Sequence, residues 1–304
     1  MTDSFDVAIV GGGPAGLSAA MVLGRCRRRV VLIDAGNTRN RASQAVHCLL
    51  GHEGRAPSEL LAMGRLELER YPTVTQRSDS VTAIARSGNC FSVECQTEQP
   101  LQVRKVLLTT GLTDDLPRVE GINVLYGRSV HHCPYCDGYE HRDQAIAVYG
   151  EGDKGGGLAL MMKQWSSDVL LFTNGLSPVS AGMVDRFQQH GVGVCTERIA
   201  KLEGTPDGRL TEIRLEGGKA IARDAMFFTT GCHQSSGLSA TLGCVRDEKG
   251  GIVTDPVTEE SSVPGVYVAG DASRDVLLVA VAIGEGAKAG VAINRALLKE
   301  DSLG

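Results

Sequence analysis

Short apolar runs that end in glycine-rich turns recur along the chain. The first run, FDVAIV at 5–10, leads directly into the turn GGGPAG at 11–16. Continuous apolar and β-branched runs of this length are typical of strands buried in a parallel sheet. Small and straight-chain residues follow at 17–23, and a second apolar run at 30–33 ends at Asp34. The pattern predicts a strand, a helix and a parallel strand, which is a βαβ unit.

The same pattern returns in the middle of the chain. An apolar run at 145–149 precedes the turn GEGDKG at 150–155, and a helix candidate leads to another apolar run at 169–173. The interval from Gly16 to Asp34 is 18 residues, as is that from Gly155 to Thr173. This equal spacing indicates an internal repeat.

Each copy of the repeat also has a later apolar run that ends in Thr-Thr-Gly, at 106–111 and at 226–231. A last run at 265–271 and a helix of small residues over 279–298 lie outside the second copy, so we assign them to the first domain. The predicted fold is α/β, with two Rossmann-like, doubly wound nucleotide-binding domains, the second inserted into the first. The first domain comprises 1–113 and 246–304, and the inserted domain comprises 114–245.

The spacing Gly11-x-Gly13-x-x-Gly16 suits the pyrophosphate of a dinucleotide, because glycines let backbone N–H groups approach the phosphates. Asp34 lies close to the sequence position, about 20 residues after the glycines, at which a carboxylate accepts the ribose hydroxyls. A glycine turn that serves packing alone is the competing interpretation. Arg39 and Arg41 are candidates to neutralise phosphate, although exposed loop arginines are more common.

Cys133 and Cys136 stand at the spacing of a reversible disulfide, with Pro134 between them and Asp137 directly after. Asp137 is a candidate proton donor for a departing thiolate, or else a surface carboxylate. An incidental cysteine pair and half of a zinc site stay open as alternatives, although no second Cys-x-x-Cys completes four cysteines. The histidines that keep the zinc alternative open are His131, His132 and His141.

Composition bounds the class of protein. A chain of 304 residues is long enough for two large cores, which excludes a small disulfide scaffold, and a net charge of −5 argues against nucleic acid as a partner. The N-terminal residues lack a secretion signal, and the longest apolar run, 276–283, is too short to cross a bilayer. We therefore expect a cytoplasmic protein without a membrane partner. Its nine cysteines are then expected to be mostly reduced.

Four segments, in this order along the chain, resemble the low-molecular-weight thioredoxin reductase family: 11–16, 109–111, 133–138 and 265–271. The resemblance extends over essentially the whole chain, and CPYCDG at 133–138 is its most specific part. It implies a flavin enzyme with FAD in the first domain. It also implies that Cys136 meets the flavin, Cys133 attacks the disulfide of a thioredoxin-like partner, and Asp137 acts as the acid.

The resemblance further implies a homodimer and a central domain that swivels between flavin-facing and partner-facing positions. It assigns Asp271 to the ribityl or phosphate region of FAD, and backbone N–H groups near Val279 to the stabilisation of reduced flavin. No metal ligand is assigned. The residues that we expect at the cofactor are Gly11, Gly12, Gly13, Pro14, Ala15, Gly16, Asp34, Ala35, Arg41, Thr110, Gly111, Gly270, Asp271 and Val279.

Two departures from the family concern the electron donor. The family has a basic cluster where this chain has Thr173-Asn174-Gly175, so a 2′-phosphate would lack its counter-charge unless Arg186 or Arg198 folds over to replace it. Glu151 and Asp153 add negative charge to the second glycine turn, and Lys154 offsets only one of them. NADPH is therefore doubtful as the donor. Leu277-Leu278 replaces an Arg-Gln pair ahead of the last helix, which suggests an unusual donor or acceptor.

The leading function is thus electron transfer between FAD and the Cys133–Cys136 disulfide, and onward to a thioredoxin-like protein. An oxygen-dependent oxidase of a small dithiol is the first alternative, because relatives in disulfide-metabolite pathways pass electrons from the dithiol outward to oxygen. His131 or His132 would then deprotonate the dithiol. Asp137 favours the reductase direction. A non-enzymatic redox or zinc sensor is the second alternative.

Overall fold

The computed structural model describes residues 4–273 and 276–303. The chain folds into two compact units. Unit 1 comprises 1–41, 48–113 and 233–304, and unit 2 comprises 42–47 and 114–232.

The strands are β1 (Ser4–Val10), β2 (Val30–Ile33), β3 (Val74–Arg77), β4 (Val81–Ser87), β5 (Cys90–Cys95), β6 (Leu101–Leu108), β7 (Leu112–Asp114), β8 (Val130–His131), β9 (Ile146–Tyr149), β10 (Val169–Phe172), β11 (Val192–Cys195), β12 (Ile199–Gly204), β13 (Leu210–Leu215), β14 (Ala220–Ala222), β15 (Ala225–Phe228), β16 (Cys232–Gln234) and β17 (Val266–Val268). The α-helices are α1 (Pro14–Arg25), α2 (Pro57–Leu68), α3 (Ile122–Leu125), α4 (Pro134–Asp137), α5 (Gly152–Met162), α6 (Ala181–His190), α7 (Leu238–Thr241) and α8 (Val279–Leu303). Two 3-10 helices span Arg39–Ala42 and Gly270–Ser273.

The main sheet of unit 1 has the order β3-β2-β1-β6-β5-β4, with β17 paired to β6. Its strands β3, β2, β1, β6 and β17 are parallel, and Ala8 of β1 lies opposite both Val31 and Val106. The apolar run in β1 is continuous because the sheet is covered on both faces, as the two separate apolar clusters that include Ala8 and Ile9 show.

Helices α1 and α8 pack closely on one face of this sheet. A Cβ on Gly286 would collide with the carbonyl oxygen of Ala15, and one on Gly290 would come within 3.0 Å of Val22. The small residues predicted in the last helix therefore allow a short distance between the two helices.

Unit 2 contains a five-stranded parallel sheet of order β11-β10-β9-β15-β8. Strands β9, β10 and β15 occupy the positions that β1, β2 and β6 hold in unit 1, so the predicted repeat is present in the structure. A three-stranded antiparallel sheet, β12-β13-β14, adds to the same apolar core. The prediction of two Rossmann-like α/β folds is thus confirmed.

The chain returns to unit 1 at His233, earlier than the residue 246 that we expected from the sequence. Leu238 and Cys244 belong to the core of unit 1, and Gln234 Nε2 donates to the carbonyl oxygens of Gly250 (3.0 Å) and Ala272 (2.8 Å). These contacts are distant in sequence, so a local pattern does not reveal them. The short segment 42–47, expected in the first domain, clusters with unit 2.

The chain crosses from unit 1 to unit 2 and later returns, and in each unit a backbone hydrogen bond joins the residues next to the two crossings. In unit 2 the N–H of Asp115 donates to the carbonyl oxygen of Gly231 (3.0 Å), and in unit 1 the N–H of Ser235 donates to that of Gly111 (3.1 Å). The two connecting strands, β7 and β16, pair with each other.

None of the helices within 4–273 and 276–303 combines the length and apolar character that a membrane crossing requires.

Candidate active site

The first glycine turn connects β1 to α1 at the carboxyl end of the unit 1 sheet. Gly11 has a φ of +110°, and a Cβ on Gly16 would collide with the carbonyl oxygen of Gly11, so both positions require glycine. No side chain caps the N-terminus of α1 at Gly13, and a Cβ built there meets nothing within 4 Å. The turn therefore offers open space in front of a helix N-terminus, which is the arrangement that binds a phosphate.

The buried hydroxyl of Thr109 ties this turn to β6. Its Oγ1 lies 2.7 Å from the carbonyl oxygen of Gly11 and 3.0 Å from that of Val10, and donates to them. The predicted residues Thr110 and Gly111 follow directly, the latter with a φ of +65°. Our sequence reasoning did not assign Thr109 a role, although its place in the repeated Thr-Thr-Gly ending was a signal.

The Asp34 carboxylate lies beside the same turn, because a Cβ on Gly12 would come within 2.5 Å of its Oδ2. It accepts hydrogen bonds from the N–H of Gly36 (3.1 Å) and from Arg65 Nη2 (2.8 Å). Ala35 is exposed next to it. The contact with Arg65, on α2, had no signal in the sequence.

Asp271, in the segment that follows β17, is paired with an arginine from the segment that follows β2. Arg39 Nη1 lies 2.9 Å from its Oδ2, while Arg41 is exposed and donates to Asn37 Oδ1, at 3.4 Å. Of the two arginines considered for phosphate binding, the structure therefore brings Arg39, and not Arg41, to Asp271. The N–H of the predicted Gly270 donates to Glu285 Oε2 (2.6 Å) on α8.

These residues fit FAD. An open glycine turn suits the pyrophosphate, a carboxylate at the end of β2 suits the ribose, and the Arg39–Asp271 pair lies at the end of β17. Ligands of doubly wound folds bind at this carboxyl edge. Helix α8 begins at Val279, the predicted position.

The two cysteines of the redox motif flank a single helical turn in unit 2. Cys133 and Cys136 form a disulfide with a Cα–Cα distance of 5.3 Å. Cys133 is the N-cap of α4, and its Sγ accepts the N–H of Cys136 (3.1 Å). A Cβ on Gly138 would collide with the carbonyl oxygen of Pro134, so the glycine after the motif is required for the turn.

Asp137 is the first member of a chain of side chains that leads away from the disulfide. Its Oδ1 lies 3.2 Å from His131 Nδ1, and His131 Nε2 lies 3.0 Å from His141 Nε2. His141 Nδ1 lies 2.9 Å from Gln144 Oε1. Burial, followed by the proximity of His131, lowers the pKa of His141 below its usual value.

The two adjacent histidines of the motif have separate partners. His132 Nδ1 faces Asp114 Oδ2 at 3.7 Å, and the hydroxyl of Tyr126 donates to the same oxygen (2.8 Å). His131 is only 4% exposed and contacts a polar atom with each ring nitrogen, so it is not available as a base for a bound dithiol. In the described part of the chain, no three His, Cys, Asp or Glu side chains group as a metal site.

The second glycine turn, between β9 and α5, differs from the first in its hydrogen bonds. The N–H of Gly152 donates to the carbonyl oxygen of Ser177 (2.9 Å). Asp153 Oδ1 accepts the N–H of Ser180 (2.8 Å), and this bond lowers the pKa of Asp153 below its usual value. Glu151, the N-cap of α5, is exposed. The loop after β10 thus binds the Gly152 N–H and the Asp153 carboxylate, whereas the Glu151 carboxylate has no hydrogen-bond or ion-pair partner among the residues that the structure describes.

An arginine lies where β10 ends. A Cβ on Gly175 would be 3.2 Å from Cγ and Nε of Arg198, so this side chain covers the glycine. The segment that carries Arg198 is held in place because the N–H of Gly175 donates to Thr196 O (2.9 Å) and that of Ile199 to Asn174 Oδ1 (2.7 Å). Within 4–273 and 276–303, the exposed guanidinium of Arg198 has no hydrogen-bond or ion-pair partner.

Known proteins match both the sequence and the fold. The family model for pyridine nucleotide-disulphide oxidoreductases matches residues 5–286. Thioredoxin reductase tcpT from Claviceps purpurea is 29% identical, over 97% of this chain and 95% of its own. A putative thioredoxin reductase TrxB from Bacillus anthracis is 30% identical with a TM-score of 0.92, covering 98% of this chain and 99% of its own. An oxidoreductase from Agrobacterium tumefaciens is 36% identical with a TM-score of 0.90, covering 97% and 99%.

The family match extends over most of the chain and includes both glycine turns and the cysteine pair. The resemblance that the motifs indicated is thus confirmed. The chain belongs to the pyridine nucleotide-disulphide oxidoreductase family, as a flavin-dependent disulfide oxidoreductase of the thioredoxin reductase type.

Proposed function

We propose that the protein passes two electrons between FAD, held at the first glycine turn, and the Cys133–Cys136 disulfide, and from there to the disulfide of a thioredoxin-like protein. The observation that carries this proposal is the disulfide itself, closed across one turn with a carboxylate directly after it. When bound, FAD supplies the group that takes up and releases electron pairs. A cytoplasmic location and a homodimer stay predictions.

The two cysteines differ in their surroundings, which supports different roles. The N–H of Cys136 points at Cys133 Sγ, and a hydrogen bond to the charged form favours a thiolate. Cys133 is therefore suited to attack the partner disulfide, and Cys136 to exchange electrons with the flavin. Both residues are partly exposed in unit 2, as attack on another protein requires.

The proposal is tested by counting electrons and thiols. We expect anaerobic dithionite titration of the yellow protein to consume four electrons per chain, two for the flavin and two for the disulfide, with two new thiols alkylated by iodoacetamide. An oxidised thioredoxin added afterwards should reoxidise both groups. Uptake of two electrons only, with no new thiols, would remove the disulfide from the reaction. Rapid turnover of a small dithiol with oxygen would instead favour the dithiol oxidase.

For the electron donor, we propose that NADPH is a poor reductant and that Arg198 supplies what affinity remains for its 2′-phosphate. The Gly152 N–H is already bonded to Ser177, and the Glu151 carboxylate opposes a pyrophosphate. Arg198, in contrast, lies at the end of β10, where this fold reads the 2′ position. Of the two distant arginines considered as replacements for the missing basic cluster, Arg198 is therefore preferred to Arg186, as a single contact in place of the cluster.

Arg198→Ala is expected to weaken NADPH binding roughly tenfold to a hundredfold and to leave NADH nearly unchanged. One charge-assisted phosphate contact contributes about 1.5–3 kcal/mol, and 1.4 kcal/mol corresponds to tenfold. Stopped-flow bleaching of the flavin under argon gives the apparent Kd of each nucleotide, with Arg186→Ala on α6 as the matched control. Equal losses for both nucleotides would contradict the role of Arg198. Saturable bleaching of the wild type at micromolar NADPH would contradict the poor donor.

A further inference from the structure

Four side chains form a continuous hydrogen-bonded chain from the redox motif to the surface of unit 2. It begins at Asp137, directly after Cys136, and passes through His131 and His141 to Gln144, with contacts of 3.2, 3.0 and 2.9 Å. His131 is buried, His141 is partly exposed, and Gln144 is exposed. The chain thus connects the neighbourhood of the disulfide with solvent.

Each contact joins two polar atoms at hydrogen-bond distance, so a proton taken up by one group can be passed to the next. Each imidazole uses both ring nitrogens in the chain: His131 faces Asp137 with Nδ1 and His141 with Nε2, and His141 faces His131 with Nε2 and Gln144 with Nδ1. An imidazole placed in this way can accept a proton at one nitrogen and release one from the other.

The surroundings of His141 favour its neutral imidazole. The pKa of His141 is lowered by burial and by His131, and only partly restored by Gln144, Asp137 and Glu140. Glu140 lies 3.6 Å from His47, and the ring of Phe227 packs against both His131 and His141. A neutral His141 can take up a proton on its solvent side and release one toward His131.

We propose that Asp137, His131 and His141 form a proton relay that delivers a proton from solvent to the cysteine pair when the disulfide is reduced. The inference rests on the proposed function. Two electrons from the reduced flavin break the S–S bond and leave two thiolates, while the flavin is oxidised. One thiolate takes a proton through Asp137, and the other remains a thiolate. The relay recovers this proton from solvent through His141.

His131 and His141 act through Asp137 and are positioning residues in this scheme. His141→Ala opens the relay at its solvent end, so its proton is not replaced between turnovers. We expect turnover of a thioredoxin disulfide at pH 8 to fall roughly tenfold to a hundredfold, the range of one lost acid–base step. We also expect the rate of the variant to fall further as the pH rises, while the wild type changes little.

Imidazole added to the buffer should restore most of the lost rate in His141→Ala, because it takes the place of the missing ring. His190→Gln, an exposed histidine at the end of α6, is the matched control and should respond neither to the substitution nor to imidazole. A loss in His141→Ala that imidazole leaves unchanged at every pH would reduce His141 to a packing role and overturn the relay.

The four-electron titration depends neither on turnover nor on His141, so a failed relay and a failed redox assignment are distinguishable.

Discussion

In a Cys136→Ser variant the flavin is expected to remain reducible, whereas electron transfer from the flavin to any disulfide substrate is expected to fall to background. A serine hydroxyl cannot form the S–S bond that joins Cys133 to Cys136 across the turn of α4. The hydrogen bond from the backbone N–H to Cys133 Sγ does not depend on the side chain at 136, so the turn should persist. The measurement is thioredoxin-disulfide turnover, followed together with flavin absorbance.

Anaerobic titration of the Cys136→Ser variant should consume two electrons per chain instead of four. Cys26→Ser is the matched control, because Cys26 is an exposed free cysteine after α1 in unit 1, and it should retain both the four-electron titration and the turnover. Unchanged turnover in Cys136→Ser would remove the Cys133–Cys136 pair from the mechanism.

Gly13→Asp is expected to yield a folded protein without its yellow colour. A Cβ at Gly13 meets nothing within 4 Å, and the extended backbone there, with φ −73° and ψ −175°, accepts any residue. The new carboxylate would face the pyrophosphate. Two like charges 4 Å apart repel by about 4 kcal/mol at an effective dielectric constant of 20, or roughly a thousandfold in affinity.

The ratio of FAD to protein after purification measures this loss, and circular dichroism checks the fold. Gly13→Ala should remain yellow, since it adds volume without charge. Gly182→Asp supplies the same new charge at an equally open glycine in the first turn of α6 and should retain full colour. A Gly13→Asp protein with a full complement of FAD would place the cofactor elsewhere.

The repeated βαβ pattern could be predicted because its signals are local. Buried parallel strands read as unbroken apolar runs, and the turns at 11–16 and 150–155 contain glycines that close contacts require. The return to unit 1 at His233 could not be located in this way. It depends on the packing of Leu238 and Cys244 against strands far away in sequence, and only three residues form the strand β16.

The candidate site shows the same division. The glycine turn, Asp34 and the cysteine pair lie next to recognisable elements, and the structure brings the turn and Asp34 together. The sequence offered Arg39 beside Arg41 and Arg198 beside Arg186, and only tertiary contacts, with Asp271 and with Gly175, distinguish the first of each pair. His131 and His141 are ten residues apart in the sequence and are joined by no continuous helix or strand. No sequence pattern therefore marked the two as partners.

The closed ends of the two units have a consequence for how such a protein evolves. Because Asp115 and Gly231 are joined by a backbone hydrogen bond, and Gly111 and Ser235 by another, the inserted segment 114–232 begins and ends at one place in space. A recombination event that exchanges the whole segment would leave both halves with matched ends. Such an exchange would carry the Cys133–Cys136 pair with the segment and leave the glycine turn at 11–16 with the rest of the chain.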